Sequence, residues 1–263
     1  MSVWRETQVM SERMHIEIDG REVSAEALWS TVSAHGHFTA MQVRCRRTRG
    51  LALHLERLER ANEELFGSGL DAERVRSLIR HALRDVDDAS VRVYVFESNP
   101  EAAIMVTVKE PGGIMTPQRL QSVRYQRPDA HIKHLATGQG FYSRLVHRNG
   151  FDDALLTADD ALVSETAIAN VGFFDAAGVV WPDAPLLHGI TMQLLERKFL
   201  ELGVPSIRAR VRLEDITSFV GVFVTNARGV AAVSHVDGRE LPMPSERMRS
   251  LADAYASVPW DEI

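Results

Sequence analysis

The stretch from His131 to Asn170 constrains the fold more than any other, because it runs through several kinds of local structure in a fixed order. A polar loop holds Lys133. A helix-like segment, Phe141 to Arg148, is closed by Asn149-Gly150, a pair that suits a helix C-terminus or turn. Asp152 to Thr157 reads as a buried strand and Asp159-Asp160 as a turn. Leu162-Val163-Ser164-Glu165 starts another strand, and Ala169 to Phe174 continues the sheet. Lys133 is one of only three lysines, with Lys109 and Lys198, among 30 Lys and Arg residues. A chain that uses Arg for ordinary surface cations and keeps a Lys here points to chemistry a guanidinium cannot do. Arginine stays protonated, whereas a lysine amine can lose its proton and add to a carbonyl as a Schiff base. The alternative is a solvated loop lysine.

The rest of the chain is read by periodicity. Residues 1–13 look like an extension. Met14 to Ile18 alternates as a strand, Asp19-Gly20 turns, Val23 returns, and Ser24 caps a short helix over Ala25 to Val32. His37 to Val43 is a strand. Leu51 to Phe66 is a helix, with Leu51, Leu55, Leu58, Ala61 and Leu65 on one stripe. Asp71 to Leu83 is a second helix, and Val91 to Val95 and Ala103 to Val108 are strands. Pro111-Gly112-Gly113 punctuates the boundary. Beyond it come strands at Leu120 to Tyr125, Val179 to Trp181, Ile207 to Val211, Phe219 to Val224 and Val230 to Val236. Helices are expected over Met192 to Leu202 and Met243 to Ala256, the last capped by Ser245. Strands with segregated helices make the chain α+β. The expected division is a small α+β domain over 14–110, a linker over 111–117, and a larger α+β domain over 118–263.

Composition narrows the partners. A net charge of −6 argues against non-specific nucleic-acid binding, and the run Arg44 to Arg49 reads first as a solvated hairpin turn. No apolar run nears the roughly 20 residues of a membrane helix, and the first residues lack a signal-peptide core. One cysteine, Cys45, allows no intrachain disulfide and fits a reducing, cytoplasmic setting. His131 and His134 flank Lys133, but without a third ligand they give no metal site. There is no glycine-rich dinucleotide fingerprint and no nucleophile elbow.

The order Lys133, helix, G-x-D-x-A-L-L, turn, V-S-E-x-x-x-x-N-x-x-F resembles the class-IV aminotransferase family. These are fold-type-IV pyridoxal 5'-phosphate enzymes: branched-chain and D-amino-acid aminotransferases and aminodeoxychorismate lyase. Gly189-Ile190-Thr191 is similar to the family's phosphate turn at a helix N-terminus, Thr225-Asn226 to its second phosphate loop, and His54 to Leu58 to the helix whose Arg binds phosphate. The resemblance covers about residues 14 to 240. It implies a two-domain fold-type-IV structure and pyridoxal phosphate as cofactor. Lys133 and Glu165 are then the catalytic pair, Lys133 forming the Schiff base and Glu165 facing the pyridine nitrogen. Arg57, Lys133, Glu165, Asn170, Gly189, Ile190, Thr191, Thr225 and Asn226 would bind the cofactor. A helix N-terminus suits phosphate because its N–H groups are free and its dipole attracts anions. Alternation from Val163 places Glu165 on an apolar face, which calls for a buried partner.

There are departures from the family pattern. Gly138 stands where branched-chain enzymes have a Tyr that contacts the ring oxygen, with Tyr142 as the substitute candidate. Met192 replaces the Arg after G-I-T, and Gln42 replaces the strand cation. Substrate candidates are therefore Phe38, Gln42, Tyr142, Arg144 and Arg228, with Arg228 the first choice for a carboxylate. The resemblance implies a homodimer acting on a small-molecule amino donor and keto acceptor, with no membrane or nucleic acid involved. Three activities stay open: aminotransferase, aminodeoxychorismate lyase releasing pyruvate, and a non-catalytic ligand-binding relative.

Overall fold

The computed structural model describes residues 15–22, 35–98 and 101–263. The extension over 1–13, the strand return at Val23 and the Ser24-capped helix over Ala25 to Val32 lie outside the described residues.

The first sheet is antiparallel throughout. It is built from β1 (His15–Ile18), β2 (Arg21–Glu22), β3 (Gly36–Val43), β5 (Ala89–Phe96) and β6 (Ala103–Lys109), in the order β2-β1-β6-β5-β3. Two helices, α1 (Leu51–Phe66) and α2 (Ala72–Leu83), supply its core partners. Helix α2 buries Val75, Ile79, Ala82 and Leu83, a stripe of threes and fours, and Asp71 caps it by accepting the Glu73 and Arg74 N–H groups. These side chains pack with Met41, Val43, Val91, Val93 and Val95 of the sheet. Because strand residues alternate, the residues between them face the other way. Phe38, Ala40 and Gln42 of β3, and Ser90 and Arg92 of β5, line a cavity; Ala40 pairs with Arg92 and Gln42 with Ser90.

The second sheet has nine strands: β7 (Gln118–Arg124), β8 (Asp153–Thr157), β9 (Val163–Thr166), β10 (Asn170–Phe174), β11 (Val179–Pro182), β12 (Ser206–Ala209), β13 (Gly221–Asn226), β14 (Gly229–Val236) and β15 (Arg239–Glu240). Eight run in the order β12-β11-β10-β13-β14-β7-β8-β9, and β15 pairs with β14. The β11–β12, β14–β7 and β7–β8 pairs are parallel. Strands β8 to β11 are buried along their whole length, although only β11 is wholly apolar; Asp153, Ser164, Glu165, Thr166 and Asn170 are polar residues carried into the interior. One core is built on Leu120, Leu155, Val163, Val171 and Phe173. A second lies beneath α4 (Ile190–Leu202) and α5 (Ser245–Ala256) and holds Trp181, Met192, Leu195, Phe199, Phe223 and Leu251. Gly172 is required there, since a Cβ would stand 2.3 Å from the Phe223 ring. Helix α3 (Gln139–Arg148) turns Val146 into a small cluster with Ala154 and Leu156.

The structure departs from the sequence expectations at a few places. Helix α5 starts at Ser245, its N-cap is Pro244, and no side chain caps it. Met243 precedes that proline, and the ring disfavours helical backbone in the residue before it. The strand expected over Ile207 to Val211 is Ser206–Ala209, paired in parallel with β11. The short strands β4 (Arg47–Thr48) and β16 (Asp261–Glu262) pair with each other and were not anticipated; two residues carry no periodicity. The Arg44–Arg49 run does turn back, at Cys45 and Arg46, both with positive φ.

Candidate active site

The cavity, about 850 Å³, is lined by residues from both sheets. Lys133 enters it from the loop before α3. The main chain there is fixed by the Phe38 N–H donating to the Lys133 carbonyl at 2.9 Å, and the Lys133 Nζ lies 4.8 Å from the Phe38 ring centroid. Burial, with Arg57 and Arg127 nearby, lowers its pKa to about 7; Glu165 acts in the opposite direction. A free amine is thus available near neutral pH.

Glu165 is buried on β9, and its partner is Arg127, which sequence reasoning missed. The Arg127 Nε donates to Glu165 Oε1 at 2.9 Å. The same guanidinium donates to the carbonyls of Ala130 and Ile132, so it supports the backbone that leads into Lys133. Glu165 Oε2 accepts the Leu187 N–H at 3.2 Å. Burial pushes the Glu165 pKa up, while Arg127 and the Leu187 N–H act in the opposite direction and favour the carboxylate. A carboxylate has about four acceptor sites, so these two contacts leave capacity for a group in the cavity.

The opposite end holds the N-terminus of α4. Helix α4 opens at Gly189 with no side-chain cap, leaving its first N–H groups without a partner from the helix itself. Asn170 braces the approach: its Nδ2 donates to the Leu187 carbonyl at 2.7 Å, and its Oδ1 would lie 2.0 Å from any Cβ at position 189, so only glycine fits. The Thr191 hydroxyl donates to the Asn226 carbonyl at 2.7 Å, tying α4 to the end of β13. Asn226 Oδ1 accepts the Arg228 N–H at 2.8 Å and shapes the turn into β14. The Thr225 Oγ1 is buried with no hydrogen-bond partner. On α1, the Arg57 Nη2 donates to the His188 carbonyl at 3.0 Å. Burial and then Arg127 pull the Arg57 pKa down to about 10, so it is a cation at neutral pH. His54, one turn earlier, shares a 2.6 Å hydrogen bond with Thr39; burial and then Arg57 push its pKa down to about 3, so it is neutral.

Of the substrate candidates, Phe38, Gln42 and Arg228 line the cavity. Gln42 is already engaged, accepting the Gly112 N–H at 2.9 Å and donating to Ser90. Arg228 donates from Nε and Nη2 to the Gly113 carbonyl. Tyr142 and Arg144 are not brought to the cavity: Tyr142 stacks on Tyr125, with centroids 4.9 Å apart, and Arg144 is an exposed residue of α3. Tyr125, not Tyr142, reaches Gly138, whose N–H donates to its hydroxyl. Cations the sequence did not single out also line the cavity, among them Arg44, Arg92 and Lys109. Arg44 and Arg92 could have been found by continuing the alternation of β3 and β5 outward from Phe38. Among the described residues, no cluster of His, Cys, Asp and Glu is suited to a metal, and no helix is long and apolar enough to cross a membrane.

One cavity thus brings together a buried carboxylate against an arginine, a lysine with a lowered pKa and an uncapped helix N-terminus. The family model for class IV amino-transferases matches residues 36–236, and the chain belongs to that family, one of pyridoxal-phosphate enzymes. A protein of Rickettsia felis named "Probable branched-chain-amino-acid aminotransferase" is 32% identical over 93 residues, 35% of this chain and 31% of that protein. The match thus spans about a third of the length of that curated relative. The branched-chain aminotransferase of Thermoproteus uzoniensis, solved with norvaline, superposes with a TM-score of 0.80 at 19% identity, covering 92% of this chain and 93% of that one. A hypothetical aminotransferase of Mycobacterium tuberculosis, in its PLP-bound form, gives a TM-score of 0.78 at 20% identity, covering 92% and 99%. At such identities the likeness is one of fold, and the fold is the fold-type-IV, α+β one.

Replacing Arg127 with Met leaves the Glu165 carboxylate buried without its cation. Arg127→Met is expected to destabilise the protein by about 3–5 kcal/mol at pH 7. Since the folded-state pKa of Glu165 lies above its unfolded value, the deficit should shrink as pH falls and the carboxyl takes up a proton. Urea melts at pH 7 and pH 5 check this; an unchanged midpoint at pH 7 would contradict it.

Proposed function

We propose that the chain is a pyridoxal-phosphate-dependent aminotransferase that moves an amino group between an amino acid or amine and a keto acid. The observation that carries this reading is one cavity holding a lysine amine with its pKa near 7, the Arg127–Glu165 pair, and an anion cradle with an orphaned threonine hydroxyl. When bound, pyridoxal phosphate supplies an aldehyde carbon and a ring that draws electrons from the donor's Cα.

The residues fit that group. The N–H groups at Ile190 and Thr191, the free Thr225 hydroxyl, the Asn226 turn and Arg57 suit its phosphate, with Asn170 and Gly189 holding the helix opening in place. Glu165, paired with Arg127, suits the pyridine nitrogen, and as a carboxylate it would favour the protonated ring. Lys133 is the amine that bonds the cofactor covalently. With an amino donor bound, the Lys133 Nζ would be the group that holds and moves a proton at the donor's Cα. Phe38 covers Nζ and limits its contact with water. Arg228 remains the proposed partner for a substrate carboxylate; Arg44 and Arg92 add positive charge to the same cavity.

The proposal includes a two-lobe division, 14–110 and 118–263 with 111–117 between, supported by two sheets with separate cores. It also includes a homodimer, supported by exposed apolar side chains at Phe141 and at Ile168 on the cavity rim. A cytoplasmic setting rests on Cys45 being the only cysteine.

Purified protein should convert L- or D-amino acids, or simple amines, only when a keto acid acceptor is added. Pyruvate release from aminodeoxychorismate without an acceptor would make the lyase the correct activity, and cofactor binding without turnover would leave a ligand-binding relative. The attachment of pyridoxal phosphate to the apoprotein should speed up as pH rises through about 7 and then level, because only the neutral amine adds. A rise centred near 10 would mean that Lys133 is not desolvated.

A further inference from the structure

Helix α1 carries Arg57, yet nothing at its own start caps it. Gly50 occupies the N-cap with a left-handed backbone, φ 70°, and provides no side-chain hydrogen bond; the first turn holds no acidic residue. The missing acceptor comes from the far end of the chain. Asp261 Oδ2 accepts the Leu51 N–H at 2.9 Å, placing a carboxylate at the positive end of the helix.

The surrounding segment, Val258–Ile263, is fastened at Val258, Trp260, Asp261, Glu262 and Ile263. Val258 packs with Leu53 of α1 and with Ile190 and Leu194 of α4, so one side chain wedges the two helices that form the anion cradle. Gly50 lies against the same Ile190 and Leu194, 3.2 Å from where its Cβ would be. The Arg49 guanidinium is sandwiched between Trp260, 4.2 Å from the ring centroid, and Tyr255, 4.8 Å away. It also donates to the carbonyls of Val258 and Ala256, each at 3.1 Å. Residues Asp261 and Glu262 pair with β4, and Ile263 joins the core of the first sheet. The segment therefore leaves α5 on the second sheet and ends in the first, crossing the cavity wall on the way; Tyr255 and Trp260 both line it.

We propose that Val258–Ile263 is a clasp that sets α1 against α4, with Asp261 as the positioning residue that holds Arg57 in register with the α4 N-terminus. The clasp acts chiefly on the phosphate end of the cavity, where Arg57 meets the loop before α4. Its cofactor arm rests on the functional reading given above.

The test titrates apoprotein with pyridoxal phosphate and, separately, with pyridoxal, which lacks the phosphate. Asp261→Ala should weaken pyridoxal phosphate by about fivefold, the affinity equivalent of the typical stability cost of one lost cap, and weaken pyridoxal by clearly less. Asp261→Asn keeps an acceptor for the Leu51 N–H and should restore the affinity. Hydrogen exchange at Leu51 to Leu55 of the apoprotein should be faster in Asp261→Ala and close to wild type in Asp261→Asn. Should Asp261→Ala fail to fold, Arg49→Lys carries the test, since it loses the planar sandwich and the paired carbonyl contacts and should give the same phosphate-selective loss. Equal affinities in wild type and variants, or equal losses for both ligands, overturn the clasp while leaving the cofactor reading intact. Wild-type protein that binds neither ligand overturns the cofactor reading instead.

Discussion

The ion pair between Arg127 and Glu165 is the contact on which the site depends. Both side chains are almost wholly removed from water, at 2% and 7% exposure. Burying two charges is costly unless each makes close, well-aimed contacts. Arg127 meets that condition through Glu165 and the carbonyls of Ala130 and Ile132, and Glu165 through Arg127 and the Leu187 N–H. One network thus joins β9, the backbone before Lys133 and the loop before α4. Charge and position are set together: Arg127 opposes the upward pull of burial on the Glu165 pKa and helps lower the pKa of Lys133.

The anion end is held by different means. Asn170 and Gly189 fit so closely that a Cβ is excluded, which fixes where α4 begins. Arg57 reaches the same loop through the His188 carbonyl, but it stands on a helix belonging to the other sheet. The cavity is therefore a junction, and its geometry depends on how firmly α1 is kept against α4. Val258, Arg49 and Asp261 provide that attachment from a segment with no catalytic chemistry of its own.

Much of this was legible in the sequence. The helix over Leu51–Phe66, the alternation of Phe38, Ala40 and Gln42, and the buried Glu165 carboxylate carry their consequences locally. The expected stripe of that helix is met only in part: Leu51, Leu58 and Ala61 are buried, Leu55 and Leu65 are half-buried, and Leu53, His54 and Asn62 are buried beside them. What was not legible depends on partners distant in sequence. Arg127 reads as one arginine in a polar run, and only the packed loop reveals it beneath Glu165. Tyr142 is the candidate to replace the family's ring-oxygen Tyr and Arg144 a candidate for the substrate, but the phase of α3 turns Tyr142 onto Tyr125 and leaves Arg144 exposed. Asp261 and Leu51 are joined by a cap that no local rule could find, since capping patterns look within a few residues.

The central claim is that Lys133 is the amine that bonds pyridoxal phosphate. Borohydride reduction of the protein after incubation with the cofactor, followed by peptide mass spectrometry, tests it most directly. The account predicts a phosphopyridoxyl group on Lys133 and its disappearance when Lys133→Ala is treated in the same way. A label carried by Lys109 or Lys198, or one that survives the loss of Lys133, would contradict it.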